Sequence, residues 1–408
     1  MLELRKLLDP LEAMGAEIAQ RQKEYSRLAE DAAAQLQRTP VDAALQAKIE
    51  LALKLDHTWR GAEPVEATLD RRHRPTSPPE SATLIAVDGS QIYPDRHGPL
   101  LYYLLNTGAI IFRQGSAAAP QVETQPSLHF SDAELYDVRG NLIKAERINA
   151  RRELAEMQRL AALAVEERTR GGGDLDPLIL AIKDGQLMMW LGERDLFEAE
   201  GGEDAGITAD LSRYIDCLHT LQRVQATPIG FVSTPRSANV IRLLWISALD
   251  AAQITREEVQ QSPYRGLSDA ALFARLLGPN QRSALFATTA RVNRERFAPA
   301  GQRICFFYLN VAQRQGPDWA QIARIDLPEW VARQPQWADR VQNALYHDCV
   351  GMRFPYVLAR ADELAVVSQQ EKRDLEQMLA VQLARRTGAL PEPSPKARQK
   401  DLSRGYSR

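Results

Sequence analysis

Two short apolar runs in this 408-residue chain end the same way. Thr83-Leu84-Ile85-Ala86-Val87 leads into Asp88-Gly89-Ser90. Leu178-Ile179-Leu180-Ala181-Ile182 leads, through Lys183, into Asp184-Gly185. Runs this short and this rich in branched side chains suit strands buried on both faces. In open α/β sheets, functional groups collect just beyond the carboxyl ends of such strands. If the two strands are neighbours, the carboxylates of Asp88 and Asp184 converge there. The glycines that follow would let backbone approach a phosphate or a metal closely. Asp-Gly is also a common turn dipeptide, so a plain turn at each corner is the alternative.

The rest of the chain supplies an α/β frame for these corners. Residues 1–38 predict a long helix with Leu4, Leu7, Leu11, Met14, Ile18, Tyr25, Leu28 and Ala32 near a heptad seam that Arg21 interrupts. Thr39-Pro40-Val41-Asp42 reads as a helix start, and Leu45, Ile49 and Leu53 give the second helix a stripe. An N-terminal helical hairpin over 1–60 is expected, then a linker over 61–82, rich in proline and charge. Leu100 to Leu105 and Ala109 to Arg113 predict a pair of strands turning at Asn106-Thr107-Gly108. A helix follows over 145–170, ended by Gly171-Gly172-Gly173, then the strand before Asp184, a helix over 207–224 and a strand at Pro228 to Val232. That order predicts a mixed sheet flanked by helices.

Beyond it, Ile241 to Ala252 and Asp269 to Leu277 read as helices, and Ser283 to Ala290 and Ile304 to Val311 as strands. Helices over about 336–349 and 359–386 close the fold. The expected organisation is therefore one α/β domain over 83–386, with a helical and β insertion around 234–300. Residues 387–408 form a basic, disordered tail by composition, with five Lys/Arg and one Asp in 395–408.

Composition narrows the setting. No stretch of about 18 apolar residues occurs, so no membrane span is expected. The N-terminus MLELRKLLDPLEAMG does not read as a secretory signal. Cys217, Cys305 and Cys349 lie far apart, which suits neither a zinc cage nor a disulfide framework, so a reducing cytoplasm is expected. Lys+Arg 51 against Asp+Glu 53 leaves a net charge of -2, unlike a dedicated nucleic-acid coat protein.

Hard divalent cations take oxygen ligands, and two of them can activate a water and steady the leaving oxygen of a phosphodiester. Such a site wants a third acid from a helix across the sheet. The helix over 145–170 offers Glu146, Glu153, Glu156, Glu166 and Glu167. Any single one of these is more often a solvated surface acid.

Three blocks in order carry a resemblance: AVDGSQ at 86–91, KDGQL at 183–187 after the helix INARRELAEMQRL, and FPYVLARADELAVVS at 354–368. Together they resemble the NurA nuclease family. The resemblance implies a ribonuclease H-like fold and a nuclease using Mn2+ or Mg2+ on single- and double-stranded DNA, chiefly 5′ to 3′, with single-strand endonuclease activity. It implies a role in DNA end processing, a homodimer, and a HerA-type hexameric ATPase as partner. Carried over, Asp88 and Asp184 become metal ligands, with Glu156 preferred to Glu153 or Glu166. Where the family carries His in the last block, this chain has Asp362, taken here as a fourth carboxylate ligand. Where the family often has Lys after the strand ending at Val232, this chain has Ser233, with Arg236 as a stand-in. Ser90, Arg147, Arg151 and Arg236 are the expected DNA contacts, and His347 is read as an ordinary surface residue. The departures at 362 and 233 leave a catalytically silent adaptor for the ATPase as an alternative, as is another phosphoesterase on the same fold.

Overall fold

The computed structural model describes residues 3–75, 81–96, 100–137, 140–171, 178–189, 197, 205–262, 264 and 266–388. In chain order its strands are β1 (Ala62–Pro64), β2 (Ala82–Ile92), β3 (Tyr103–Gln114), β4 (Gln121–His129), β5 (Leu178–Asp184), β6 (Ala226–Val232), β7 (Phe286–Thr288), β8 (Ile304–Asn310) and β9 (Ile322–Pro328). Its main helices are α1 (Leu8–Arg38), α2 (Ala43–Leu55), α3 (Ala145–Arg170), α4 (Ala205–Arg223), α5 (Asn239–Ala248), α6 (Pro335–Asp348), α7 (Tyr356–Ala365) and α8 (Gln369–Thr387). The α/β class and mixed strand pairing expected from the sequence are observed. The chain divides into two compact units, each built from separated segments.

One unit comprises Ser81–Asp184, Met189–Thr227 and Tyr356–Arg408. Its strands run in the order β5-β2-β3-β4. β2 pairs in parallel with β5 from Ala82↔Leu178 to Val87↔Lys183, and antiparallel with β3 from Ala82↔Gln114 to Ile92↔Leu104. Leu84, Ile85, Ala86 and Val87 are buried, as are Leu180 and Ile182, because helices cover the strands on both faces. Side chains alternate across a strand, so Gly89 and Asp88 face opposite ways. α3 lies against Gly89, where a Cβ would meet Glu156 and Arg152. α7 lies against Gly108, where a Cβ would meet the backbone of Ala361 and Ala365.

That second contact corrects the expected hairpin. β3 runs unbroken through Asn106-Thr107-Gly108. Glycine is there to admit a helix backbone, not to turn the chain. β4 is an exposed edge strand containing Pro126, with no alternating apolar pattern to reveal it. The single helix expected over 359–386 is two. α8 starts afresh at Ser368, whose hydroxyl accepts the Glu371 N–H at 3.2 Å while the Glu371 carboxylate accepts the Ser368 N–H at 2.7 Å.

The other unit comprises Met1–Glu80, Gly185–Met188 and Pro228–Pro355, with strand order β1-β7-β8-β9-β6. The helical hairpin is part of this body. Ala32, Leu36, Ile49 and Ala52 share a core with Val240 and Leu244 of α5 and with Phe286, Phe306 and Tyr308. The first half of α1 keeps Leu11, Met14 and Ile18 exposed. The stretch expected as a linker also differs. β1 pairs with β7, Leu69 is buried, and His73 exchanges backbone hydrogen bonds with Arg282. Its charge misled: Glu66 lies 2.7 Å from His73 and 3.3 Å from the buried Arg282. Within 234–300 the strand expected at Ser283 to Ala290 shortens to β7; further along, β9 at Ile322–Pro328 was not anticipated. The tail beyond Gly388 lies outside the described residues. No helix among the described residues is long and apolar enough to cross a membrane.

Gly230 of β6 lies under the turn that follows β5. A Cβ there would sit 2.4 Å from the Leu187 nitrogen and 2.8 Å from the Gly185 oxygen. The turn is held by Gly185 N–H donating to Phe231 O at 2.9 Å and Leu187 N–H donating to Asp326 at 3.2 Å. Gly230→Ala should therefore destabilise the protein by about 1–3 kcal/mol. Gly15 of α1 has open space around it, so Gly15→Ala should stabilise by up to about 1 kcal/mol. Urea unfolding of the two variants should move the midpoint in opposite directions.

Candidate active site

The last parallel pair, Val87↔Lys183, puts Asp88 and Asp184 next on adjacent strands, at their carboxyl ends. Neighbouring strands lie about 4.8 Å apart, so the two corners of the sequence become one place. α7 adds Asp362, which shares a hydrogen bond with the Asp88 carboxyl. The N–H of Gly89 donates to Asp88 at 2.8 Å. Burial pushes the Asp88 carboxyl up to about 6, and the neighbouring carboxylates of Asp362 and Asp184 push the same way, against the Gly89 N–H.

α3 brings the fourth acid. Glu156 is buried, and its Oε1 has no hydrogen-bond partner. The Arg152 Nε lies 3.3 Å from that oxygen, a charge contact without hydrogen-bond alignment. Burial raises the Glu156 carboxyl to about 8; Lys183 and Arg152 oppose this, and Asp88 and Glu153 add to it. Glu153, one turn earlier, is ion-paired with Lys183 at 3.2 Å. Glu166 is exposed and pairs with Arg159. The structure thus places Asp184, Asp362 and Glu156 each within electrostatic range of Asp88, keeps Glu153 beside Glu156 and Lys183, and pairs the exposed Glu166 with Arg159 instead.

All the donors are carboxylate oxygens, the chemistry that hard divalent cations select. An unpartnered buried carboxylate oxygen at Glu156 fits the same demand. Among the described residues, no three of His, Cys, Asp and Glu are drawn close enough to form a ready cage. Like charges oppose closer approach.

The expected DNA contacts fare differently. Ser90 donates its hydroxyl to the Ala365 carbonyl at 2.5 Å. Arg147 is paired with the buried Asp210 at 2.7 Å. Arg151 donates to the Tyr103 hydroxyl at 2.5 Å and to the Glu134 carbonyl at 3.1 Å. These three groups are engaged within the fold. Arg236, Ser233 and His347 belong to the other unit, where Arg236 and His347 are exposed. Two cations lie beside the acids, of which Lys183 was missed. Arg152 donates to the Gly89 carbonyl and to Gln91, both at 3.2 Å. Its spacing of four before Glu156 on one helix was the available signal. Lys183 precedes Asp184 on a strand, so alternation alone turns it to the opposite, buried face.

The NurA domain model matches residues 82–367, and the chain belongs to the NurA family. The matched span includes Asp88, Glu156, Asp184 and Asp362. The crystal structure of the NurA nuclease from Sulfolobus solfataricus is similar at a TM-score of 0.50 and 13% identity, over 96% of this chain and 100% of that one. The catalytic domain of human Endonuclease V aligns at a TM-score of 0.30 and 14% identity, over 83% and 99%. Ciona intestinalis Endonuclease V, in complex with an inosine-containing DNA, aligns at 0.31 and 11%, over 82% and 99%. No curated protein sequence matches.

The raised carboxyl of Glu156 has a sign that can be measured. Between its ordinary 4.5 and about 8, the folded protein holds a proton that the unfolded chain has released. Stability from this site therefore falls as pH rises through that window, by at most about 1.4 kcal/mol per pH unit. Glu156→Gln should remove that slope, so urea unfolding at about pH 5.5 and about pH 7.5 should differ less in the variant than in the parent protein.

Proposed function

We propose that this protein is a metal-dependent deoxyribonuclease that hydrolyses phosphodiester bonds at the acid cluster. The observation that carries the reading is the gathering of Asp88, Asp184, Asp362 and Glu156 from β2, β5, α7 and α3. Asp88, Asp184 and Asp362 would hold Mn2+ or Mg2+, with Glu156 as the buried fourth oxygen donor. A divalent ion, when bound, supplies Lewis acidity toward a phosphate oxygen. The chain's own residues set the surroundings. Lys183 holds Glu153 to one side, and Arg152 keeps a positive charge beside Glu156. Asp362 supplies oxygen where the family carries an imidazole nitrogen, which a hard cation accepts equally well. Arg236 is the expected DNA contact that remains exposed.

Family membership supports the finer assignments: 5′ to 3′ action on DNA ends with single-strand endonuclease activity, a homodimer, and a cytoplasmic role with a HerA-type hexameric ATPase. A second reading is favoured by Asp362 and Ser233 standing where the family has His and Lys: a silent adaptor for the same ATPase.

With Mn2+, the purified protein should degrade end-labelled linear DNA, and a chelator should stop it. Asp88→Asn should lower the rate by at least about a thousand-fold, several kcal/mol of barrier, with the circular dichroism unchanged. Undiminished cleavage by that variant would remove Asp88 from the reaction. Intact DNA together with no calorimetric Mn2+ binding at millimolar concentration would favour the adaptor.

A further inference from the structure

We infer that Ser90, Asn106 and Gly108 form a seat for the C-terminal end of α7, and so act as positioning residues that hold Asp362 against Asp88. The inference rests on the nuclease reading for its consequence and on geometry for its content.

The seat follows from register. Asp88 pairs with Gly108 and Ser90 with Asn106 across β2 and β3. Residues two apart on a strand share a face, so these four form one square patch facing α7. The last carbonyls of a helix have no partner within it. Here the carbonyl of Ala365, the final residue of α7, accepts from the Ser90 hydroxyl at 2.5 Å and from the Asn106 amide at 2.8 Å. Two side chains from different strands thus cap one helix end.

Gly108 sets the height. A Cβ there would lie 2.5 Å from the Ala365 nitrogen, 2.7 Å from the Ala361 oxygen and 2.7 Å from the Leu364 carbonyl carbon. All three are main-chain atoms, so no side-chain rotation relieves the clash. Ala361 and Ala365, one turn apart and both buried, let the helix lie directly on the strand. Asp362 follows Ala361 on the same turn, and its carbonyl accepts the Val366 N–H at 3.1 Å. A tilt or lift of this turn therefore carries Asp362 away from Asp88. Glycine and asparagine are unfavourable inside a strand, and the seat accounts for both. It also accounts for Ser90: its hydroxyl hydrogen is engaged at Ala365 rather than facing a phosphate.

The test measures Mn2+-dependent cleavage of linear DNA by full-length Ser90→Ala, Ser90→Thr, Asn106→Leu and Gly108→Ala, with hydrogen exchange on each. In Ser90→Ala, Asn106→Leu and Gly108→Ala, kcat should fall about 10- to 100-fold, the cost of a displacement near 1 Å. KM and the salt dependence of DNA binding should hold within about twofold, because no phosphate contact is lost. Ser90→Thr, which keeps the hydroxyl, should recover most of kcat. Exchange across 357–367 should quicken in the three impaired variants, while β8 stays protected. A raised KM with a shallower salt slope in Ser90→Ala would make Ser90 a DNA contact and overturn the proposal. So would unchanged kcat in both Ser90→Ala and Gly108→Ala, or losses that track only the unfolded fraction and are not rescued by threonine. If the parent protein cleaves no DNA, the nuclease reading fails on its own. Exchange then decides the seat: quickening supports it, and unchanged protection across 357–367 overturns it.

Discussion

The parallel pairing of β2 with β5 is the constraint on which the candidate site depends. Hydrogen bonds in a parallel ladder are evenly spaced, so a register set by six consecutive pairs carries forward to the next residue on each strand. Those next residues are Asp88 and Asp184. A slip of one position would send one carboxylate to the opposite face and bury it among aliphatic side chains. Both runs are apolar on both faces, with Leu84, Ile85, Ala86, Val87, Leu180, Ala181 and Ile182 all buried, so it is the backbone ladder that fixes the register and aims the acids.

Gathering carboxylates costs free energy in the folded state, and the fold answers with a few well-placed cations. Lys183 and Arg152 both lower the cost of charging Glu156, and Lys183 holds Glu153. Neither cation reverses the effect of burial, so Glu156 and Asp88 both stay above the usual carboxylate range. A pocket left with excess negative potential attracts cations in general. In the other unit, Arg324 and Asp326 form a fully buried pair, and Asp326 also accepts the Leu187 N–H of the turn after β5. That pair is fully engaged, with Arg324 also donating to Asn239 at 2.8 Å.

The sequence made some of this legible and hid the rest for identifiable reasons. Asp88 and Asp184 were readable because a buried strand and its abrupt acidic end are both local signals. Asp362 was readable only through the family block, since nothing near it in sequence announces a ligand. Arg147 and Arg151 could not be told from Arg152 by residue type, because their partners Asp210 and Tyr103 come from distant segments. Asn106-Thr107-Gly108 was misread because its residue types favour turns, and the reason for glycine is a helix 250 or so positions later, as the Asn106 to Ala365 bond spans 259. β1 and β4 were missed because one is three residues long and charged, and the other is an exposed edge.

Ser90 and the carbonyl it caps are 275 positions apart in a chain of 408. Each unit is assembled from segments that the other interrupts, so neither can finish folding as a contiguous stretch leaves the ribosome. β2 and β5 are made long before the helix bearing Asp362. Any chemistry that needs all four acids is thereby withheld from the nascent chain, and from the nucleic acid that surrounds it during translation.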